Sequence, residues 1–218
     1  DVVSNGSGGT RVIARTWTAT DACGNTTNSV QTLPVQDSTP PTISYHLVDT
    51  FSPDKYANSG GADETLRNNF AAVFPSGLVI GVVGPDSVVP GPTRLLWEAN
   101  EAGTTALNEL LAQTGGSSGP ITQNAVNSTS TLGGGDLALE TIALTLNVGY
   151  NQAGIIGAGP NNFGSLIYSN AGDSLNGMSV TQILAAANQA LAGLPLPAGY
   201  DFARLTALIQ SLNLSFHA

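Results

Sequence analysis

Cysteine is nearly missing from this chain: Cys23 is the one thiol in 218 residues. A single cysteine can neither staple a small fold with disulfides nor build a cysteine-based zinc site within the chain. Lysine is as scarce, with Lys55 alone, and Lys plus Arg total 6 against 15 Asp plus Glu, a formal charge of −9. So few cations leave no basic patch to neutralise a phosphate backbone, which argues against nucleic acid and anionic membranes as partners. No apolar run approaches the roughly 20 residues that span a bilayer. Nor does the chain open on a basic region followed by an apolar core; an exported protein would carry that leader upstream or have lost it. Charged residues make up only 10% of the chain, so its polarity comes from Ser, Thr, Asn, Gln and Gly.

The first stretch reads as β-structure. Val12 to Thr20 alternates as a strand does, Val12, Ala14 and Thr16 facing one way and Ile13, Arg15 and Trp17 the other. Asp21-Ala22-Cys23-Gly24-Asn25 has turn chemistry, because Gly and Asn accept positive φ and Asp can bond its own backbone. A second strand is expected over 29–36, ended by Asp37-Ser38-Thr39-Pro40-Pro41, since proline donates no ladder hydrogen bond. Asp1 to Ser4 can add a short third strand. Three strands are fewer than the roughly seven of a complete sandwich. The remaining strands are therefore expected either from sequence outside this stretch or from another copy.

Arg15-Thr16-Trp17-Thr18-Ala19-Thr20-Asp21-Ala22-Cys23-Gly24-Asn25, with Asp37-Ser38-Thr39-Pro40-Pro41-Thr42-Ile43 after it, resembles the end of HYR-like immunoglobulin-type repeats. Such repeats recur in tandem in bacterial secreted and surface-anchored proteins. The resemblance covers residues 1–43, about a fifth of the chain, and implies a secreted or cell-surface setting. Members often carry a second cysteine earlier in the repeat, and this chain has none. Gly77 to Gly81, Leu144 to Val148 and Gly177 to Val180 are in turn similar to C-terminal modules that follow such repeats, a resemblance that implies location and no activity.

Beyond residue 44 helix-like and strand-like segments alternate. Asp63 to Phe74 suits a helix capped by Asp63 and stopped by Pro75, with Leu66, Phe70, Val73 and Phe74 on one face. Short apolar runs over 78–83 and 94–98 read as strands, and 104–113 as a helix with Leu107, Leu110 and Leu111 inward. Gly115 to Gly135 is a polar stretch longer than most loops in compact domains, the length of a mobile or a ligand-binding segment. Asp136 is expected to cap a helix reaching Tyr150, with Leu139, Ile142, Leu146 and Tyr150 at helical spacing. Phe163 to Ser169 reads as a strand. Ser179 or Thr181 caps a helix through Ala192, and Asp201 caps another whose Phe202, Leu205, Leu208, Ile209, Leu212 and Phe216 make an apolar stripe. These two, joined through Gly193, Pro195 and Pro197, should form a helical hairpin.

Tests for chemistry assign no catalytic residue and no cofactor. Gly115-Gly116-Ser117-Ser118-Gly119 has the letters of a nucleophile elbow, which requires a strand before it and a helix after it. Here a helix precedes and Pro120 follows, so a loop is the better reading. His46 and His217, the two histidines, have no nucleophile or ligand motif beside them and read as polar surface. Glu98 and Glu101 beside Trp97 satisfy the composition of a glycosidase pair without fixing its geometry, and read as solvated acids around a core tryptophan. The glycines from Gly154 to Gly159 precede Pro160 rather than a helix N-terminus, and so make no phosphate loop. Asp21, Asn25, Asp37 and Asp49 are hard oxygen donors, and calcium is the metal they would suit, although no EF-hand or RTX spacing assigns it.

The expected fold is α+β: a partial immunoglobulin-like sheet with its linker over residues 1–43, then a mixed α+β domain over 44–218 ending in a helical hairpin. The expected function is non-enzymatic. It is that of an extracellular structural or adhesive surface protein, a fibre subunit that meets copies of itself or neighbouring immunoglobulin-like modules by strand complementation. The alternative is a glycan-binding or accessory module of a secreted hydrolase, with Trp97 and the Gly115 to Gly135 loop facing the sugar.

Overall fold

A computed structural model describes residues 1–5, 11–35, 48–57, 61–82, 94–97, 101–157 and 162–216, of which 5, 94–97 and 101–103 are described by their backbone. The architecture is α+β. The chain divides into two compact units, Asp1–Ser44 and Tyr45–Ala218. His46, His217, Asp37 and Glu98 lie outside the described residues, as do the expected linker around Pro40 and Pro41 and Gly159.

The first unit is an antiparallel sheet of β1 (Val2–Asn5), β2 (Arg11–Thr20) and β3 (Thr26–Val35), in the order β1-β2-β3. β3 begins three residues earlier than its sequence pattern suggested, because the turn is tight. Asp21 N donates to Asn25 O at 3.0 Å and Gly24 N to Asp21 O at 3.1 Å, with Gly24 left-handed at φ 87°. This is a type I turn closed by a glycine bulge, the geometry that three-residue hairpin loops adopt.

The second unit is built around α4 (Gly135–Ala153), which touches α1 (Pro53–Ala57), α2 (Ala62–Val73), α5 (Val180–Leu191), α6 (Phe202–Leu214) and β4 (Leu78–Gly81). Leu137, Ala138, Leu139, Ile142, Ala143, Leu144, Leu146 and Tyr150 are all buried, so α4 is apolar nearly all round. The stripe read from the sequence is one side of a central helix. Phe70 and Leu66 of α2, Leu107 and Leu110 of α3 (Glu101–Leu111), Ile183 and Leu191 of α5, and Leu205 and Ile209 of α6 complete the core. β4 pairs antiparallel with β5 (Arg94–Trp97), and β5 pairs parallel with β6 (Ala125–Val126).

Three local expectations change. α2 and α4 are capped by Gly61 and Gly134, not by aspartate side chains. Asp63 lies inside the first turn of α2 and pairs with Arg67 at 2.8 Å, while Asp136 accepts Gly115 N at 2.8 Å. The run 163–169 is not a strand: Phe163–Ser165 is a 3-10 turn that buries Phe163, and only Ile167 bridges, to Ser179. By contrast Ser179 and Gln182 form a reciprocal capping box, and Asp201 caps α6 through Arg204 N at 2.7 Å.

Candidate functional site

Pair register places alternate residues of the sheet on opposite faces. Val3, Ile13, Leu33, Val35 and Trp17 share one face with Arg11, Arg15 and Gln31. The other face carries Val2, Val30, Thr16, Thr18, Thr20, Thr26, Thr32 and Asn28. Every residue of β3 is exposed, as are Arg15 to Thr20 of β2. Trp17 is 56% exposed and Val30 62%. The exposed side chains are organised nevertheless. Arg15 grips Asp1 through two bonds of 2.7 and 2.8 Å and lies over the Trp17 ring at 5.6 Å. Trp17 Nε1 donates to Gln31 Oε1 at 3.3 Å. An aromatic, a guanidinium and an amide held in one row are the side chains that bind well at protein interfaces.

Of the proposed calcium donors, Asp21 is committed to the turn. Its Oδ1 accepts Cys23 N and Asn25 N, both at 2.9 Å, and its Oδ2 accepts Asn25 Nδ2 at 2.9 Å. The Asn25 amide, followed by these backbone donors, holds the Asp21 carboxyl below the usual carboxylate range. Asp49 donates its backbone N–H to Asn151 Oδ1 at 3.3 Å. Among the described residues no group of three His, Cys, Asp or Glu is placed to hold a metal ion. Cys23 is an exposed free thiol on the turn.

The polar stretch before α4 is tied down rather than loose. Ile121 N donates to Leu191 O, and Thr122 N to Leu132 O, each at 2.8 Å. The Gly115-Gly116-Ser117-Ser118-Gly119 letters mark a backbone crossing, not an elbow: a Cβ on Gly115 would stand 2.5 Å from the carbonyl carbon of Gly135. Ser118 Oγ accepts Leu137 N at 2.9 Å and shares a 2.9 Å hydroxyl bond with Thr206. Ser117, Ser118, Asp136, Thr206 and Gln210 line an open cavity of about 550 Å³. A second cavity of about 390 Å³ shares Asp136 and Gln210 and adds Asp54 and Glu140. Burial pushes the Glu140 carboxyl up, and the negative Asp136 and Asp54 push the same way against an opposing bond from Asn213. Thr206, Gln210, Asp54 and Glu140 escaped sequence reasoning because they come from three distant segments, with no spacing to connect them.

Asn147, Asn151 and Asn213 were missed as well, although a signal existed. Two asparagines four residues apart inside an apolar helical pattern are costly unless both amides are satisfied. Asn147 Oδ1 accepts Phe51 N and its Nδ2 donates to Phe51 O, both at 2.9 Å; Asn151 Nδ2 donates to Asp49 O at 2.6 Å. The pair thus binds the 48–52 segment as a neighbouring strand would.

Comparison with protein-family models, with curated proteins and with solved structures found no match to this chain.

Proposed function

We propose that the chain is a non-enzymatic structural or adhesive protein of an extracellular surface, joined to copies of itself or to neighbouring immunoglobulin-like modules by strand addition to its first unit. The observation that carries this reading is the uncovered sheet, in which Trp17, Val30 and all of β3 are exposed. A sheet of three strands gains stability only when something covers it or extends it. The test is electron microscopy and sedimentation of the whole chain beside a variant lacking residues 1–40. The second unit has its own core, so the shortened chain should remain soluble and lose assembly. Assembly that survives the deletion overturns the reading.

A second reading has the cavity beside Ser117 and Ser118 as a glycan subsite. Its hydroxyls, amide and carboxylate at Ser117, Ser118, Thr206, Gln210 and Asp136 are the groups that bind sugar hydroxyls. It predicts glycan binding that falls on Gln210→Ala, and no binding across a broad glycan panel removes it.

A further inference from the structure

We propose that the outer edge of β3 pairs with β3 of a second copy, antiparallel about a two-fold axis at Ser29. This rests on the assembly reading above and adds the partner, the strand and the register.

The bonding direction of each β3 residue follows from the turn. Asp21 N donates to Asn25 O across it, which makes these two the first bonded pair of the ladder, and hydrogen-bonded pairs recur at every second residue of an antiparallel ladder. The inward pairs are therefore Ala19 with Thr27, Trp17 with Ser29, Arg15 with Gln31 and Ile13 with Leu33. Thr26, Asn28, Val30, Thr32 and Pro34 alternate with these, and their backbone groups point away from β2. Among the described residues the sheet order ends at β3, with no strand beside that outward row. Pro34 fits this assignment, because its missing N–H costs nothing on the open side of an edge strand.

Natural edge strands are guarded by charge, by bulges or by proline. β3, TTNSVQTLPV, has no charged residue, and its one guard is Pro34 at the end. An uncharged strand also meets its own copy without like-charge repulsion, whichever residues come opposite.

Pro34 selects the register. With the axis at Ser29, Asn28 of each copy faces Val30 of the other, and Thr26 faces Thr32. The four outward residues other than Pro34 then bond, and Pro34 falls opposite Gly24 in the turn, where no ladder bond is required. Moving the axis to Val30 sets Pro34 against Thr26 and deletes a donor. Moving it to Asn28 pairs only Thr26, Asn28 and Val30. The Ser29 axis joins two sheets into one of six strands. Among the described residues β1 pairs with β2 over Arg11 to Ala14, which leaves Thr16, Thr18 and Thr20 of β2 for growth beyond a dimer.

The test uses the whole chain in sedimentation velocity across a concentration series. Val30→Pro removes an outward N–H and no inward bond, so it should raise the dimer dissociation constant at least tenfold while hydrogen exchange at Thr27, Ser29 and Gln31 stays slow. In a Cys23→Ser background, Ser29→Cys should oxidise to a disulfide dimer faster than Gln31→Cys. A directly opposed pair at the axis that is not hydrogen-bonded has the short Cα separation a disulfide needs. The cysteine comparison decides the register even if the proline variant fails to fold. Dimerisation unchanged by Val30→Pro, or equal cross-linking at 29 and 31, overturns the pairing. Assembly that persists in Val30→Pro overturns this pairing and leaves the proposed function standing, whereas a chain that is monomeric at every concentration overturns both.

Discussion

The side chains of Asn147 and Asn213 meet at 2.9 Å between α4 and α6, both completely buried. Each is a relay. Asn147 Oδ1 also accepts the Tyr56 hydroxyl at 2.8 Å, and Asn213 Nδ2 donates to Glu140 Oε2 at 2.8 Å and to Glu140 O at 3.0 Å. One polar chain therefore runs from α1 through the middle of the core to the rim of a cavity. Asn147→Leu should destabilise the second unit by about 3 kcal/mol or more, because it strands Phe51 N and O, the Tyr56 hydroxyl and Asn213 Oδ1, and an unpaired buried group costs about 1–3 kcal/mol. Asn151→Leu, which leaves the Tyr56 hydroxyl and Asn213 bonded to Asn147, should cost less. Urea denaturation of both variants measures the difference, and equal losses would remove the relay role of Asn147.

Glu140 gives the network a pH dependence. Its carboxyl is raised above the ordinary value of 4.5, chiefly by burial, so the folded chain holds a proton the unfolded chain releases. The stabilisation is full below about pH 4.5 and is lost as pH climbs through the folded value. Glu140→Gln keeps an acceptor for Asn213 and cannot ionise. The variant should exceed wild type in stability at pH 7 by a margin that shrinks at pH 4, and a margin constant with pH would contradict this account.

Asp173 predicts the opposite slope. Leu175 N, the Tyr200 hydroxyl and Arg204 hold its carboxyl below 3.8, with bonds of 2.9 Å from Leu175 N, 2.8 Å from Tyr200 and 3.0 Å from Arg204. Its side chain is 3% exposed. Here the unfolded chain binds the extra proton, so the stabilisation is present above the unfolded value and disappears as pH falls through the folded one. Asp173→Asn should be less stable than wild type at pH 6, and in thermal melts the two should converge as pH falls through the folded value, below 3.8.

Period and punctuation made most elements legible. The β2–β3 hairpin, the helices other than α1 and the Ser179 and Asp201 caps could be read because each depends on residues within a few positions of one another; the short α1 was missed. Asp63 and Asp136 misled for the same reason: a local reading makes each a cap, but Asp63 pairs with Arg67 and Asp136 with Gly115 N. Phe163 to Ser169 had strand composition, but among the described residues only Ile167 bridges, to Ser179. The cavity residues were illegible for a different reason. Asp54, Glu140 and Gln210 are brought together by packing around α4, and no local pattern encodes that meeting.

Gly149 tests the packing of α4 directly. Glycine inside a helix ordinarily costs about 0.5–1 kcal/mol relative to alanine, so Gly149→Ala should stabilise if propensity alone mattered. A Cβ at 149 would stand 2.6 Å from Phe74 Cζ and 3.1 Å from Val73 Cγ1. Phe74 is held in turn by edge contact with Tyr150, with ring centroids 5.7 Å apart, and by Phe70 at 5.3 Å, so it has little room to retreat. Overpacking of this kind costs about 1–3 kcal/mol, which outweighs the propensity gain. Gly149→Ala should therefore lower the melting temperature. In the Phe74→Leu background, where the ring atom is gone, the same substitution should become neutral or stabilising. A loss of equal size in both backgrounds would show that Phe74 is not what requires glycine at 149.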